Sequence, residues 1–303
     1  MVDFDSIKGS NTKVAFHPQP KGVIQLIGGF PSGSFPEKYF RFLLQHLYDQ
    51  GYSLLVYSFP FNPFQFNHWS VALESLEDLY QVRCAIINQL FCTTASQQQL
   101  DFYTSDRNYF WLGYSLGCKY ILLLEILGDY SDQSQRRHEI LESCLRAECL
   151  PEIEQNLIKV DQARELAKNR ISELLGRPCD FNPFIRDQPS LLLAPEINNT
   201  FEILNLTFSP FKYFTFPSQE EIQCLINNST EIFNLMGLIS FQEDTIASDD
   251  VDFLVVELQS RSSEAFLHKV FPGQHDAPLV EFQIDDLAFH IDHIFQELRQ
   301  RCC

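Results

Sequence analysis

Ser115 lies between two glycines, each two residues away, in Gly113-Tyr114-Ser115-Leu116-Gly117. A serine hydroxyl is a weak nucleophile until a histidine takes its proton, and that histidine needs a carboxylate to fix its tautomer and stabilise the imidazolium. The G-x-S-x-G spacing suits a strand, a sharp turn and a helix. The strained turn lifts the serine oxygen clear of the backbone, and the glycines let strand and helix approach. "NYFWL" (108–112) reads as the strand and "LGCKYILLLEIL" (116–127) as the helix. In that arrangement the partners follow the serine in the order Asp or Glu, then His.

Both partners are available in loops just after apolar runs, where open α/β sheets place their ligands. His275 sits in "FPGQHDAP" (271–278), and Glu243-Asp244 follow a run ending at Phe241. Asp244 is the preferred acid and Glu243 the alternative. His46, His138 and His268 fall within predicted helices or a strand, and His290 and His293 lie three apart on the last helix. Asp249 and Asp250 read as helix-capping acids. An oxyanion hole needs two backbone amides. Leu116 supplies one, and "IGGFPSGSF" (27–35) the other through Gly29 or Phe30, since Pro31 has no N–H. The same glycine cluster has neither the Gly-Lys-Ser/Thr of a P-loop nor the G-x-G-x-x-G of a dinucleotide fold. Nothing in the pattern calls for a metal or an organic cofactor.

These residues need a scaffold that brings strand ends together. From residue 20 to 127, short apolar runs alternate with longer helix-period segments, the pattern of a parallel sheet covered by helices. "GVIQLIGG" (22–29) and "YSLLVYSF" (52–59) are predicted strands. "PEKYFRFLLQHLYDQG" (36–51) is a predicted helix with proline near its start and glycine at its end, and 71–91 is a second, longer helix. Residues 128–187 break the rhythm, being polar and helical with no strand candidate, and read as an insertion or cap. "PSLLLAPE" (189–196) resumes the sheet, and Ser218 with Glu221 forms a capping box opening a helix over 218–227. "VDFLVVELQ" (251–259) has the composition of a strand. However, Val251, Leu254, Val255 and Leu258 keep helical spacing after Ser248-Asp249-Asp250, so a helix over 249–260 is expected. Strands over 235–241 and 265–271 flank it, and a helix over 282–301 follows.

In this order "GGFPSGSFPEKYFRFLLQHLYDQGYSLLVYSF", "LGYSLGCK", "LLLAPE", "FPSQEE", "LISFQEDTIA" and "FPGQHDAPL" resemble an uncharacterised α/β-hydrolase-like family of cyanobacteria and plastids, a domain of unknown function. The resemblance covers most of residues 20–285 and is weakest over 128–187. It implies an α/β-hydrolase fold, a mostly parallel sheet with helices on both faces, and a candidate triad of Ser115, Asp244 and His275. It implies no substrate. The expected organisation is one domain whose core is formed by 1–127 and 188–303, with 128–187 as the insertion.

Composition narrows the function. The chain has 303 residues, 45% hydrophobic and 20% charged, which is the balance of a globular protein. No apolar run is long enough for a membrane span, and the acidic start has no signal-peptide core, so a cytoplasmic protein is expected. A net charge of −18 argues against nucleic-acid binding, which needs a basic footprint. Nine scattered cysteines without zinc spacing are expected to be free thiols or small buried hydrophobes. Of twenty-eight phenylalanines, ten lie in irregular stretches at 58–69, 179–185 and 206–217. Phe59, Phe61 and Phe64, with the stretches 179–184 and 208–216, are candidates for an apolar pocket. The leading expectation is therefore a serine esterase acting on an acyl, lipid-like or isoprenoid ester. A non-catalytic protein binding an apolar ligand or a protein partner is the alternative. Haloperoxidase- or lyase-type use of the same triad is a further option. The sequence leaves room for peripheral membrane contact through exposed phenylalanines, but carries no basic amphipathic helix to support it.

Overall fold

The computed structural model describes residues 2–60, 67–93, 95–129, 134–197, 216–229, 235–261 and 266–301. Eight strands make one sheet among them: β1 (Asp5–Ser6), β2 (Thr12–Ala15), β3 (Gly22–Ile27), β4 (Tyr52–Tyr57), β5 (Tyr109–Tyr114), β6 (Ser190–Leu193), β7 (Met236–Phe241) and β8 (Leu267–Phe271). Their order is β1-β2-β4-β3-β5-β6-β7-β8. β2 is antiparallel to both its neighbours, and every pair from β4 to β8 is parallel. Strands β3 to β7 are buried on both faces and carry no polar alternation, as a helix-covered parallel sheet requires.

The helices are α1 (Pro36–Tyr39), α2 (Arg41–Asp49), α3 (His68–Cys92), α4 (Gln97–Thr104), α5 (Leu116–Asp129), α6 (Ser134–Cys144), α7 (Leu150–Leu175), α8 (Gln219–Asn228), α9 (Ser248–Arg261) and α10 (Ile284–Arg301). Alternation along β5 shows the two layers, since successive side chains of a strand point to opposite faces. Phe110 packs on Phe295 of α10, whereas Tyr109 takes the guanidinium of Arg83 from α3 at 4.1 Å from its ring centre. α7 runs along α3, and Ser70 at the start of α3 donates to Glu152 at the start of α7.

The chain leaves β3 for β4 on one side and returns to β5 on the other. The strand order therefore reverses between β3 and β5, which is where open α/β sheets form a crevice at the strands' carboxyl ends. Register aligns those ends, with Ile27 beside Gly113, Tyr114 beside Leu193, and Phe241 beside Phe271. The segments that follow β3, β5, β6, β7 and β8 thus emerge along one edge of the sheet.

The structure departs from the sequence reading in three places. The helix expected over 36–51 is broken at Phe40, whose buried ring meets Tyr114 edge-on. Two N-terminal strands appear that no pattern announced. β1 and β2 are short edge strands, and Asp78 of α3 anchors the chain between them by accepting from Ser10 Oγ, the Asn11 amide and Thr12 Oγ1. Third, Cys144 and Cys224, expected as thiols, form a disulfide between α6 and α8, their Cα atoms 5.4 Å apart. The free-thiol expectation came from the scattered spacing, and spacing is blind to a pair brought together by folding. The segment 251–259 is helical, as its periodicity indicates.

A cross-link between residues 80 apart restricts the unfolded chain by an amount worth about 4.5 kcal/mol in the chain-entropy account. The double substitution Cys144→Ser/Cys224→Ser is expected to lower the unfolding free energy by roughly 2–4 kcal/mol, measured by equilibrium denaturant unfolding. An unchanged unfolding free energy would contradict the bond.

Candidate active site

Ser115 occupies the turn between β5 and α5 with φ +54°, in the left-handed region that a serine rarely adopts. Hydrogen bonds hold it there. Its amide donates to the Leu193 carbonyl at 3.0 Å, and its carbonyl accepts from Cys118 and Glu196. Gly117 has no room for a side chain, because a Cβ would stand 2.1 Å from the Ile27 carbonyl oxygen at the end of β3. At Gly29 a Cβ would stand 2.8 Å from Ser115 Cβ and 2.9 Å from the Leu116 amide nitrogen. Absent side chains thus let the loop after β3 lie directly on the serine turn. The Gly29 carbonyl accepts from Gly33 N and Ser32 Oγ inside the loop. Because C=O and N–H point oppositely across a trans peptide, the Phe30 amide faces away from Gly33. Leu116 opens α5, so its amide has no intrahelical acceptor. The candidate oxyanion donors Leu116, Gly29 and Phe30 are therefore neighbours.

His275 lies in the loop after β8 with Nε2 3.0 Å from Ser115 Oγ and Nδ1 2.9 Å from Asp244 Oδ2. Tyr114 donates its hydroxyl to the His275 carbonyl at 3.1 Å and sets its ring against the imidazole. Asp244 Oδ1 accepts from the amides of Ile246 and Ala247 at 2.8 and 3.0 Å. Burial works to raise the pKa of Asp244, but the bonds from His275, Ala247 and Ile246 outweigh it and hold the carboxyl below its ordinary value. Of the adjacent acids, then, Asp244 meets the histidine. Glu243 is exposed, and its amide donates to the Gly273 carbonyl.

A second carboxyl stands on the other side of the serine, one that the sequence reading passed over. Glu196 Oε2 is 3.0 Å from Ser115 Oγ, and the residue is 1% exposed. Burial foremost pushes its pKa up to about 7, against the lowering effect of the serine bond and His275. Nearby Lys119 is equally buried, its pKa lowered to about 7 by burial, with Nζ donating to the Pro217 carbonyl. Asp250, read as a capping acid, is buried too and accepts from the Ile197 amide at 2.7 Å. A signal for Glu196 existed. It is an acid just beyond an apolar run, as Asp244 is, but "PSLLLAPE" reads as strand through its last residue.

The remaining expected site residues are elsewhere. Phe59 is buried beneath the loop after β3, its amide on the Gly33 carbonyl and its ring edge-on to Tyr120, so it packs the loop instead of lining a cleft. Phe61 and Phe64 lie outside the described residues. Phe181, from the stretch 179–184, stacks on the Arg83 guanidinium at 4.0 Å. Arg83 pairs with Asp106 just before β5, so Phe181 belongs to the opposite edge of the sheet from Ser115. The other histidines have separate partners: His268 bonds Ser240, His138 pairs with Glu142 and Glu154, and His290 packs on Phe271. Among the described residues no group of three or more His, Cys, Asp or Glu is placed to hold a metal ion, and no helix is long and apolar enough to cross a membrane.

The family model described as "Protein of unknown function (DUF1350)" matches residues 3–144. A comparison with curated protein sequences finds no match. Among solved structures, a carboxylesterase of Lactobacillus plantarum WCFS1 is similar with 11% identity and a TM-score of 0.52, over 98% of this chain and 97% of the other. A sugar hydrolase of Lactococcus lactis is similar with 13% identity and a TM-score of 0.50, over 98% of this chain and 100% of the other. At such identities the likeness speaks for architecture, and with the sheet order above it shows that the chain has the α/β-hydrolase fold.

Gly117→Ala sets a Cβ against backbone that no side-chain rotation relieves, and is expected to cost roughly 2–4 kcal/mol in thermal or denaturant unfolding. Asp244→Asn tests the carboxylate. Because the folded pKa of Asp244 is depressed, its stabilisation is present above the unfolded value and lost as pH falls through the folded one. The stability gap between native and Asp244→Asn proteins is therefore expected to be widest near neutrality and to close below about pH 4.

Proposed function

We propose that the chain is a serine hydrolase cleaving a carboxylic ester whose acyl or isoprenoid group is apolar. The observation that carries the reading is the unbroken relay from Asp244 through His275 to Ser115, with contacts of 2.9 and 3.0 Å. Ser115 Oγ attacks the carbonyl carbon while His275 Nε2 takes the hydroxyl proton, and Asp244 holds Nδ1–H and stabilises the imidazolium. The amides of Leu116 and of Gly29 or Phe30 receive the oxyanion. His275 then gives its proton to the departing alkoxide. In the second half His275 takes a proton from the water that attacks the acyl carbon and returns it to Ser115 Oγ as the Oγ–carbon bond breaks.

The apolar substrate is inferred from the phenylalanine-rich stretches around 58–69 and 206–217. Residues 128–187 are taken as the insertion that selects among substrates. One observation favours the second reading, a non-catalytic protein binding an apolar ligand or a partner: Ser115 is only 2% exposed.

A fluorophosphonate probe separates the two. Native protein is expected to label covalently and Ser115→Ala not at all, with ester hydrolysis in the variant reduced about a thousandfold or more. Folded native protein that neither labels nor hydrolyses a graded series of acyl esters would leave only the binding reading.

A further inference from the structure

Ser115 Oγ has two polar side-chain neighbours at equal distance, His275 Nε2 and Glu196 Oε2, both at 3.0 Å. A hydroxyl carries one hydrogen. With Nδ1–H committed to Asp244, a neutral His275 offers Nε2 as an acceptor, and an ionised Glu196 is acceptor only. Those two states leave one hydrogen for two acceptors. One further proton completes the set: a neutral Glu196 donates to Oγ, and Oγ–H is then free for Nε2.

The surroundings of Glu196 favour that proton. Its other oxygen, Oε1, is buried with no hydrogen-bond partner among the described residues, a position that is costly for a carboxylate and tolerable for a neutral acid. Asp250 of α9 opposes ionisation, Lys119 of α5 and His275 favour it, and burial exceeds them all. The other titratable groups that feel Glu196 are Tyr114 on β5 with Cys118 and Tyr120 on α5, and their own pKa values lie above the ordinary range.

Building on the hydrolase reading, we propose that Glu196 is a further catalytic residue, whose neutral carboxyl donates to Ser115 Oγ and so directs the serine's own proton onto His275. In the acylation step the Oγ–carbon bond forms, the carbonyl electron pair moves onto oxygen, and the hydroxyl proton passes to Nε2. The proton of Glu196 stays where it was. Ionised Glu196 instead takes the Ser115 hydrogen bond for itself and turns the hydroxyl away from its base, so reactivity falls as pH rises.

The test is the rate of fluorophosphonate labelling of the full chain from about pH 5 to about pH 9, for native protein, Glu196→Gln and Ser115→Ala. Native labelling is expected to fall about tenfold per pH unit above about pH 7. Glu196→Gln, whose amide donates at every pH, is expected to lose that fall. A native profile without the upper limb, or the same limb in Glu196→Gln, would overturn the role of Glu196. Native protein unlabelled at every pH would instead overturn the hydrolase reading, and this inference with it. Should Glu196→Gln fail to fold by thermal melting, infrared spectroscopy of Glu125→Gln protein decides, since Glu125 is another buried carboxyl whose pKa burial raises, to about 8, and its band must be removed. A neutral-carboxyl band that fades through about pH 7 supports the inference, and its absence throughout overturns it.

Discussion

A serine held in the left-handed region costs on the order of 1–2 kcal/mol, and the arrangement around Ser115 is organised to hold it there. Leu193 of β6 fixes the residue from one side by accepting its amide hydrogen. From the other side Gly117 fits under the end of β3 with no atom to spare. The turn is thereby clamped between the strands flanking β5, at the point where the sheet order reverses. Its position, once set, dictates where every partner must arrive. The loop after β3 lies directly on the turn at Gly29, and the segments after β6 and β8 reach the hydroxyl from two directions.

Two carboxyls of like chemistry end up in opposite conditions within this small space. Asp244 receives two backbone amides and the imidazole, so that bonding to the charged form outweighs burial. Glu196 has one bonded oxygen and one without a partner among the described residues, and burial dominates. Environments that drive paired acids apart are how one site keeps one group charged and another neutral at the same pH. Lys119 does not cancel the effect, because burial depresses its own charge and its ammonium hydrogen is directed to the Pro217 carbonyl.

What was legible in the sequence is what local spacing encodes. Ser115 was found through its glycines, and His275 through its Pro/Gly loop after an apolar run. The helix over 251–259 was found through spacing that outweighed its β-branched composition. The choice between Glu243 and Asp244 was open because it depends on where β7 stops. With Phe241 paired to Phe271, Glu243 turns to solvent and Asp244 inward. Glu196 was hidden for a related reason. Its approach to Ser115 follows from β5 pairing with β6 and from a left-handed turn at Ala194, and neither is written in "LLLAPE". Composition does not say which phenylalanines face a cleft, and two of the candidates do not. Phe181 is occupied by a buried Arg83 at the far edge, and Phe59 by a glycine loop. Cys144 and Cys224 are joined across 80 residues, a distance no motif spans.

The loops carrying Asp244 and His275 are stitched together, Gln242 donating to Phe271 and Glu243 to Gly273, so Asp244 and His275 form one piece. Ser115 and Glu196 form another, joined by backbone and side chain. Across the pieces Ser115 bonds His275 and Tyr114 the His275 carbonyl. Such a division has an evolutionary consequence. Under the hydrolase reading, a duplicated copy released from selection for chemistry can lose the Asp244–His275 piece while the clamped turn and its sheet stay intact. In a lineage drifting toward binding alone, changes are expected to accumulate first after β7 and β8, and last around Ser115.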